Sequence, residues 1–329
     1  MSALMSIKDL VVRFETPRGS LEAVRKVSLE IPFGTSIGIV GESGSGKTVM
    51  SRAAMGLLSG SNVRREGSVH FDGKELTAMS PKDVRNEFGT GMAMIFQDPM
   101  TALNPVRRVG SQIAEGLRVR LGMDKKAARA RSIELLSLVR IPDPESMLRK
   151  FPYQLSGGMR QRVMIAIAVA CNPKLLFADE PTTALDVTVQ SQILQLLSEL
   201  RRDLQMSLVL VTHDLGVVAN NTDFVAVMYA GEIVEQATTT ELFANVKMPY
   251  TEALLKSIPN IEMKGGTRLP VIEGRLPNPT DRPAGCGFAA RCSYVQAKCT
   301  AEHPPLVDAG DGHLYRCWYP LGHTIGRKQ

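Results

Sequence analysis

The sequence predicts an α/β protein with a largely parallel core sheet. Strands buried on both faces are predicted by four short, nearly continuous apolar runs: MAMIFQ, LLFADE, LVLVTHD and FVAVMYAG. The amphipathic stretch VQSQILQLLSELRRDL lies between the second and third runs and has helical spacing, so it completes a βαβ unit. A further run, SIGIVGES, breaks into a glycine-rich loop and is followed by KTVMSRAAMGLL, which again has the spacing of a helix.

The remaining elements follow in chain order. Residues 5–14 and 23–33 predict two N-terminal strands, and GSVHFDG predicts a further strand and turn. Residues from about 100 to 172 contain no convincing strand and predict a helical insert interrupted by prolines.

The amino-acid composition argues against a disordered chain, a collagen and a coiled coil. The chain has 329 residues, of which 44% are hydrophobic and 22% charged, as in a globular protein with a core. Its longest purely apolar run, Val163 to Cys171, is shorter than the ~18 residues of a membrane span, and MSALMSIKDL does not resemble a secretory signal, so we expect a cytosolic location. The net charge of +6 permits a nucleic acid or membrane partner but requires neither.

Composition changes near residue 250. Four of the five cysteines lie in the last 44 residues, and nine of the nineteen prolines lie from Pro249 onward. We therefore predict a main domain over residues 1–248 and a separate C-terminal extension over residues 249–329.

A phosphate-binding loop is predicted by GESGSGKT, which matches GxxxxGK[ST] between a strand and a helix. Phosphate oxygens need several converging backbone N–H groups, and a glycine-rich loop allows the backbone to wrap closely. Lys47 supplies a cation for the β- and γ-phosphates, and Thr48 offers a hydroxyl to Mg²⁺. The other predicted ATP-binding residues of the loop are Gly41, Ser43, Gly44 and Gly46. The alternative is a Gly/Ser turn with an unrelated lysine.

Two acidic residues end the strand LLFADE. In P-loop enzymes a strand-end acid is a Mg²⁺ ligand, so Asp179 is predicted to hold the metal. Glu180 is predicted to be the general base toward the attacking water. The alternative is an acid pair in solvent.

The motif LSGGMRQR, at Leu155 to Arg162, makes the chain resemble the ATP-binding subunits of ABC transporters. The resemblance implies a P-loop ABC ATPase core with an N-terminal antiparallel β subdomain. It also implies that Gln97 is the Q-loop glutamine, with a catalytic and a Mg²⁺-binding role, and that His213 is the switch histidine. Phe14 lies where the family places an aromatic against adenine, although a core role is an alternative.

The same resemblance implies that ATP joins two chains and that hydrolysis releases them. Ser156, Gly157 and Gly158 would contact the ATP bound by a facing subunit, and ALD at Ala184 to Asp186 would be the D-loop. Met159 replaces the glutamine of the family's commonest signature, LSGGQ, and we expect function to survive this change. The helical insert would dock on a membrane-embedded permease.

The C-terminal extension resembles that of dipeptide and oligopeptide importer ATPases, a group that includes nickel, glutathione and some oligosaccharide importers. The resemblance is carried by MPYTEALLKSIP, RLPVIEGRLPNP and GCGFAARC. It implies a subunit that energises peptide import, peripheral to the cytoplasmic face of a bacterial inner membrane. Its implied partners are two permease subunits, a second and distinct ATPase or a second copy, and a periplasmic or extracellular substrate-binding protein. No nucleic acid partner is expected, and the sequence does not give the cargo.

The four C-terminal cysteines have the spacing C-x5-C-x6-C-x17-C and are Cys286, Cys292, Cys299 and Cys317. In a cytosolic protein such a group holds metal more often than it forms disulfides. The resemblance implies a [4Fe-4S] cluster, while zinc and free thiols or a disulfide remain open. Cys171 is predicted to be a core residue. His303, His313 and His323 are predicted at the surface.

Two other functions compete with transport. Soluble ABC ATPases that act on nucleic acid or ribosomes usually carry a long coiled-coil insertion or two tandem cassettes, and this sequence predicts neither. P-loop kinases and GTPases have no use for LSGGM or His213.

Overall fold

The computed structural model describes residues 3–17, 19–183, 185–258 and 272–322. The chain forms two compact units. The first unit consists of Met1–Ala78 and Val211–Gln329, and the second of Met79–Leu210.

The strands of the described chain, in order, are β1 (Ala3–Thr16), β2 (Gly19–Pro32), β3 (Ser36–Val40), β4 (Val63–Phe71), β5 (Lys74–Glu75), β6 (Met92–Ile95), β7 (Leu175–Asp179), β8 (Ser207–Thr212), β9 (Phe224–Tyr229), β10 (Glu232–Thr238), β11 (Val307–Asp308) and β12 (Leu314–Tyr315).

The α-helices are α1 (Lys47–Ala54), α2 (Pro81–Asn86), α3 (Pro99–Ala102), α4 (Val109–Leu121), α5 (Lys125–Leu138), α6 (Pro144–Met147), α7 (Gly157–Val169), α8 (Val187–Asp203), α9 (Leu215–Ala219), α10 (Thr239–Ala244), α11 (Pro249–Lys256) and α12 (Ala297–Ala301). Short 3₁₀ turns occupy Leu76–Ala78, Pro152–Gln154 and Ala289–Arg291.

An antiparallel sheet with the order β2-β1-β4-β5 opens the first unit. Its central strand β1 pairs with β2 on one side and with β4 on the other. Both pairings contain register shifts. Gly67 lies at the shift between β1 and β4 and has a φ of 87°. A Cβ added there would lie 2.5 Å from the carbonyl oxygens of Lys8 and Asp9. This sheet confirms the N-terminal antiparallel subdomain.

A second group of paired strands in the first unit has the order β11-β12-β10-β9-β3. β3 pairs parallel with β9, and the other pairs are antiparallel. Every residue of β3 is buried, as its continuous apolar sequence predicts. The carboxyl end of β3 leads directly into the predicted phosphate-binding loop.

The second unit contains the parallel pair β6–β7, all five residues of β7 being buried. Between α3 and α7 the described residues form helices and turns but no β-strand, as predicted for this stretch. α8 buries a stripe made by Ile193, Leu196, Leu197 and Leu200, whose spacing is that of one helix face. The parallel pairs in both units confirm the α/β class.

Two further expectations concern apolar segments. Cys171 is 7% exposed and burial raises the pKa of its thiol, which confirms a core position. In the residues that the structure describes, no helix is both long enough and apolar enough to cross a membrane.

The prediction for His313 is wrong, because its side chain is 2% exposed. Its Nε2 lies 2.8 Å from Oε1 of the fully buried Glu235, and its Nδ1 lies 3.6 Å from Glu241. Glu235 also accepts the amide N–H of Lys247 at 2.7 Å. His303 is a quarter exposed and 2.9 Å from Glu232, and His323 lies outside the described residues. His303 and His313 join the C-terminal extension to β10, a link between distant parts of the sequence that local pattern does not reveal.

We expect the free energy of unfolding to fall as the pH rises through the folded-state pKa of His313. Burial lowers the pKa of His313, but the hydrogen bond and charge of Glu235, together with Glu241, outweigh it and raise the pKa. The stabilisation by protonated His313 is complete below the ordinary histidine pKa of about 6.5. It amounts to about 1.4 kcal/mol for each unit by which folding raises the pKa. Thermal unfolding between about pH 6 and pH 9 measures the slope.

His313→Gln should flatten this slope, whereas His70→Gln, at a half-exposed histidine 3.9 Å from Glu75, should keep it. Equal slopes in wild type and His313→Gln would contradict the assignment.

Candidate functional site

The predicted phosphate-binding loop curves so tightly that side chains are sterically excluded at two positions. A Cβ on Gly41 would lie 2.1 Å from the carbonyl oxygen of Met228. A Cβ on Gly46, which has a φ of 101°, would lie 2.6 Å from the carbonyl oxygen of Ala23. The loop therefore lies against neighbouring backbone on both sides, and glycine is required at these positions because a side chain would collide with that backbone.

Lys47 is the first residue of α1 and is 4% exposed. Its ammonium donates to the carbonyl oxygens of Gly41 at 2.7 Å and Glu42 at 3.0 Å, so the cation is held across the loop. Ser43 and Gly44 at the apex are exposed, and Thr48 is partly exposed in the first turn of α1. A cation, an exposed loop apex and a helix N-terminus together form an arrangement suited to a polyphosphate.

Sequence reasoning missed Glu42, the second residue of the loop. Its amide donates to Oη of Tyr250 at 2.9 Å, and its carboxylate accepts two N–H groups of Arg291, each at 3.0 Å. The partners are 208 and 249 residues away in the chain, so no local pattern could have revealed them.

Two other predicted residues of the first unit lie at strand ends. Phe14, near the end of β1, pairs with Leu21 of β2 and Val63 of β4, and its ring is partly exposed. His213 directly follows β8 and is exposed, before Asp214 caps α9 by accepting the amide of Gly216 at 2.7 Å. Both rings are therefore accessible to a ligand.

The second unit brings Gln97 and Glu180 together. Nε2 of Gln97 donates to Oε2 of Glu180 at 3.0 Å, and the Thr183 hydroxyl donates to the same oxygen at 2.9 Å. Asp179, the last residue of β7, is fully buried, whereas Glu180 is partly exposed with a φ of 45°. The turn in the chain thus separates the two acids, one directed into the protein and one held by two donors.

The predicted signature lies at the N-terminus of α7. Ser156 caps this helix by accepting the amide of Met159 at 3.3 Å, and both Ser156 and Gly157 are exposed. A Cβ on Gly158 would lie 3.0 Å from Cγ1 of Val189 in α8. Asp186, which is exposed, caps α8 by accepting the amide of Val189, so the signature and the D-loop are neighbours. Ala184 of the D-loop lies outside the described residues.

The four C-terminal cysteines line one cavity of about 20 Å³. The other walls are mostly apolar and aromatic, and include Phe288, Tyr294, Trp318 and Tyr319. Burial raises the pKa of Cys286 and of Cys292, and raises that of Cys317 to about 11. All four are free cysteines.

No group of three or more His, Cys, Asp or Glu side chains in the described chain is arranged to hold a metal ion. A single zinc ion would need sulfur ligands at about 2.3 Å, which places the sulfurs within about 4 Å of one another. An iron–sulfur cluster is larger than one ion and takes its four thiolates further apart. Four thiols that line one cavity are chemically a donor set of the kind that zinc and iron–sulfur clusters use.

Comparison with known families gives two matches. The family described as ABC transporter matches residues 24–183, and the C-terminal region of oligopeptide/dipeptide transporters matches residues 234–299. The oligopeptide transport ATP-binding protein OppD of Bacillus subtilis is 47% identical over 97% of this chain and 89% of its own length. The chain belongs to the ABC transporter family of ATP-binding proteins.

Other relatives agree with this membership. The dipeptide transport ATP-binding proteins DppD of Haemophilus influenzae and Escherichia coli are 48% and 47% identical, each over 97% of this chain and over 96% and 97% of their own lengths. Among solved structures, the dimeric ATP-binding cassette MJ0796 bound to ADP and Pi covers 71% of this chain and 98% of its own. It has a TM-score of 0.65 and is 27% identical. The enzymatic class is therefore that of a transport ATPase.

We expect Lys47→Ala to abolish productive ATP binding, because it removes a buried cation whose loss typically costs at least about 2 kcal/mol. This corresponds to roughly a thirtyfold or greater rise in Kd. Fluorescence titration with a labelled ATP analogue measures the effect, and Lys125→Ala, at an exposed lysine on α5, is the control. Unchanged affinity in Lys47→Ala would contradict the role of this loop.

Proposed function

We propose that this chain is the ATP-hydrolysing subunit that energises the import of peptides or a related small solute through a membrane permease. One observation carries the proposal: the similarity to peptide-transport ATP-binding proteins extends over 97% of the chain and includes the C-terminal region. A family match limited to the nucleotide-binding part would leave the class of cargo open.

The proposed chemistry begins with ATP on the phosphate-binding loop. Backbone N–H groups from Gly41 to Thr48, the N-terminus of α1 and Lys47 bind the β- and γ-phosphates. Phe14 stacks on adenine. Thr48, Asp179 and Gln97 would hold Mg²⁺, which would supply charge neutralisation on the phosphates.

Glu180 is the proposed general base, and its Oε atoms accept a proton of the attacking water. The donors Gln97 and Thr183 both bind Oε2, which fixes the rotation of the carboxylate. His213, exposed at the end of β8, is the proposed contact to the γ-phosphate.

A second ATPase completes the proposed active state. The exposed Ser156 and Gly157, with Gly158, contact the ATP bound by the facing subunit, and Asp186 lies beside them in the D-loop. ATP then stabilises the closed dimer, and hydrolysis removes that stabilisation. The facing subunit is a distinct homologue, and a homodimer is the alternative.

The proposed organisation has residues 1–248 as the nucleotide-binding domain and residues 249–329 as the extension. The helical insert, residues 100–172, contacts two permease subunits at the cytoplasmic face of the bacterial inner membrane. A substrate-binding protein delivers the peptide on the opposite side.

We also propose that Cys286, Cys292, Cys299 and Cys317 ligate one [4Fe-4S] cluster. Support comes from their convergence on one cavity with apolar walls. Such a cluster would supply a four-point crosslink, which is a structural role, and its binding energy would count as folding energy for a segment rich in proline and glycine.

Peptide uptake tests the proposed function. Cells lacking the chain should fail to accumulate a labelled dipeptide or oligopeptide, and wild-type protein but not Lys47→Ala should restore uptake. Normal uptake of every peptide tested, with loss of another solute, would overturn the peptide assignment and keep the transport ATPase.

Glu180→Gln should retain ATP binding while turnover falls by about 10²- to 10⁴-fold, because the proton acceptor is lost. The ATP-bound form should accumulate as a dimer with the facing ATPase, or with itself, in size-exclusion chromatography with light scattering. Adding Ser156→Arg to this variant should block the dimer and leave ATP binding intact. A dimer that survives Ser156→Arg would contradict the facing-signature arrangement.

Anaerobic purification should yield about four iron and four sulfide per chain with visible absorption. A Cys→Ser change at any of the four positions should remove the iron, the sulfide and the visible absorption, whereas Cys171→Ser should leave them unchanged. Because the thiols must lose protons to bind metal, reconstitution should improve as the pH rises. A colourless protein with stoichiometric zinc, or with no metal, would refute the cluster.

A further inference from the structure

One arginine of the C-terminal extension holds the phosphate-binding loop by its acidic residue. Arg291 closes the 3₁₀ turn Ala289–Arg291, and its side chain is 4% exposed. Nη1 and Nη2 donate to the two carboxylate oxygens of Glu42, each at 3.0 Å. This bidentate geometry is the strongest form of an arginine–carboxylate contact.

The arginine is itself fixed in place by several other contacts. Nε donates to the carbonyl oxygen of Glu273 at 2.8 Å, and Nη2 also donates to that of Ile272 at 3.1 Å. Its guanidinium lies 5.8 Å and 5.9 Å from the ring centres of Tyr229 and Phe288. A side chain so constrained holds Glu42 at a defined position.

Glu42 is fixed on its backbone as well. Its amide donates to Tyr250, and its carbonyl oxygen accepts from Lys47 and from the amide of Ser45 at 3.1 Å. Tyr250, Tyr229 and Phe288 form a buried aromatic group with ring centres 4.6 to 5.3 Å apart. The same residue thus connects the aromatic group, the lysine and the extension.

The extension also contacts the apex of the loop. Cδ1 of Leu276 lies 3.5 Å from the position of a Cβ on Gly44. Arg291 directly precedes Cys292 in the chain, and the amide of Cys292 donates to the carbonyl oxygen of Ala289 at 3.2 Å. The turn that carries the arginine is therefore built into the cysteine-containing segment.

We propose that Arg291 is a positioning residue for nucleotide binding, which acts by neutralising and orienting Glu42. An unpaired carboxylate on this loop would repel the phosphates of a bound nucleotide, since like charges at short range disfavour each other. The arginine removes that repulsion and ties the loop to the extension. The inference rests on the proposed function, because it takes the loop to bind a nucleoside triphosphate.

Arg291→Ala tests this role in the full-length chain. We expect the Kd for a labelled ATP analogue, and KM for ATP, to rise about tenfold, or about 1.4 kcal/mol, while kcat changes much less. Arg291→Lys should give an intermediate value, because an ammonium keeps the charge but loses the bidentate geometry. Arg316→Ala is the matched control: Arg316 is a partly buried extension arginine that donates to the carbonyl oxygens of Ile233 and Pro304.

A double-mutant cycle with Glu42→Gln separates charge neutralisation from a general loosening of the fold. If Arg291 acts through the carboxylate, Arg291→Ala should weaken ATP binding by much less in the Glu42→Gln background than in wild type. Additive effects, or equal loss in Arg316→Ala, would overturn the proposal. Thermal unfolding of each variant confirms that folded protein is compared.

The outcome is distinguishable from failure of the proposed function. If wild type binds no ATP, the nucleotide site itself is refuted. If wild type binds ATP, Lys47→Ala does not, and Arg291→Ala binds as wild type does, only the role of Arg291 is refuted.

Discussion

The close approach of backbone to backbone around the phosphate-binding loop is the constraint on which the first unit depends. Gly41 meets the carbonyl of Met228 in β9, and Gly46 meets that of Ala23 in β2. The amide of Gly231 donates to the carbonyl oxygen of Ser45 at 2.8 Å, which fixes the loop against the turn between β9 and β10. Any larger residue at either glycine would displace a strand or the loop, so the sheets and the site have to form together.

The C-terminal extension gains its order from docking on this same framework. Its described residues form only short helices, turns and two-residue strands, which cannot build a large core of their own. The guanidinium of Arg282 donates to the carbonyl oxygens of Glu22 and Ala230, and β12 pairs with β10. The extension therefore packs against the strands next to the phosphate-binding loop, and its four cysteines line one cavity together with Phe288.

Buried charges explain why β10 was not predicted as a strand. Its sequence EIVEQAT places Glu232 and Glu235 inside the protein, where an isolated carboxylate would be unfavourable. Burial raises the pKa of Glu232, but the hydrogen bond and charge of His303, together with the charges of Arg316 and Arg25, outweigh it and lower the pKa. His313 pairs with the other buried carboxylate, its Nε2 lying 2.8 Å from Oε1 of Glu235. Because each partner comes from the extension, neither the strand nor the buried histidine has a local signature.

The sequence by itself determined the α/β class, the strand that precedes and the helix that follows the phosphate-binding loop, and the helical stretch between β6 and β7. Those features follow from local periodicity and from glycine spacing, since buried strands and amphipathic helices each impose their own pattern on neighbouring residues. The family membership likewise followed from contiguous motifs such as LSGGMRQR. Only the tertiary structure decided that Arg291 holds Glu42, that His313 is buried and that four cysteines share one cavity. These contacts join residues up to 249 positions apart, and a contact at that range leaves no periodic pattern in either segment.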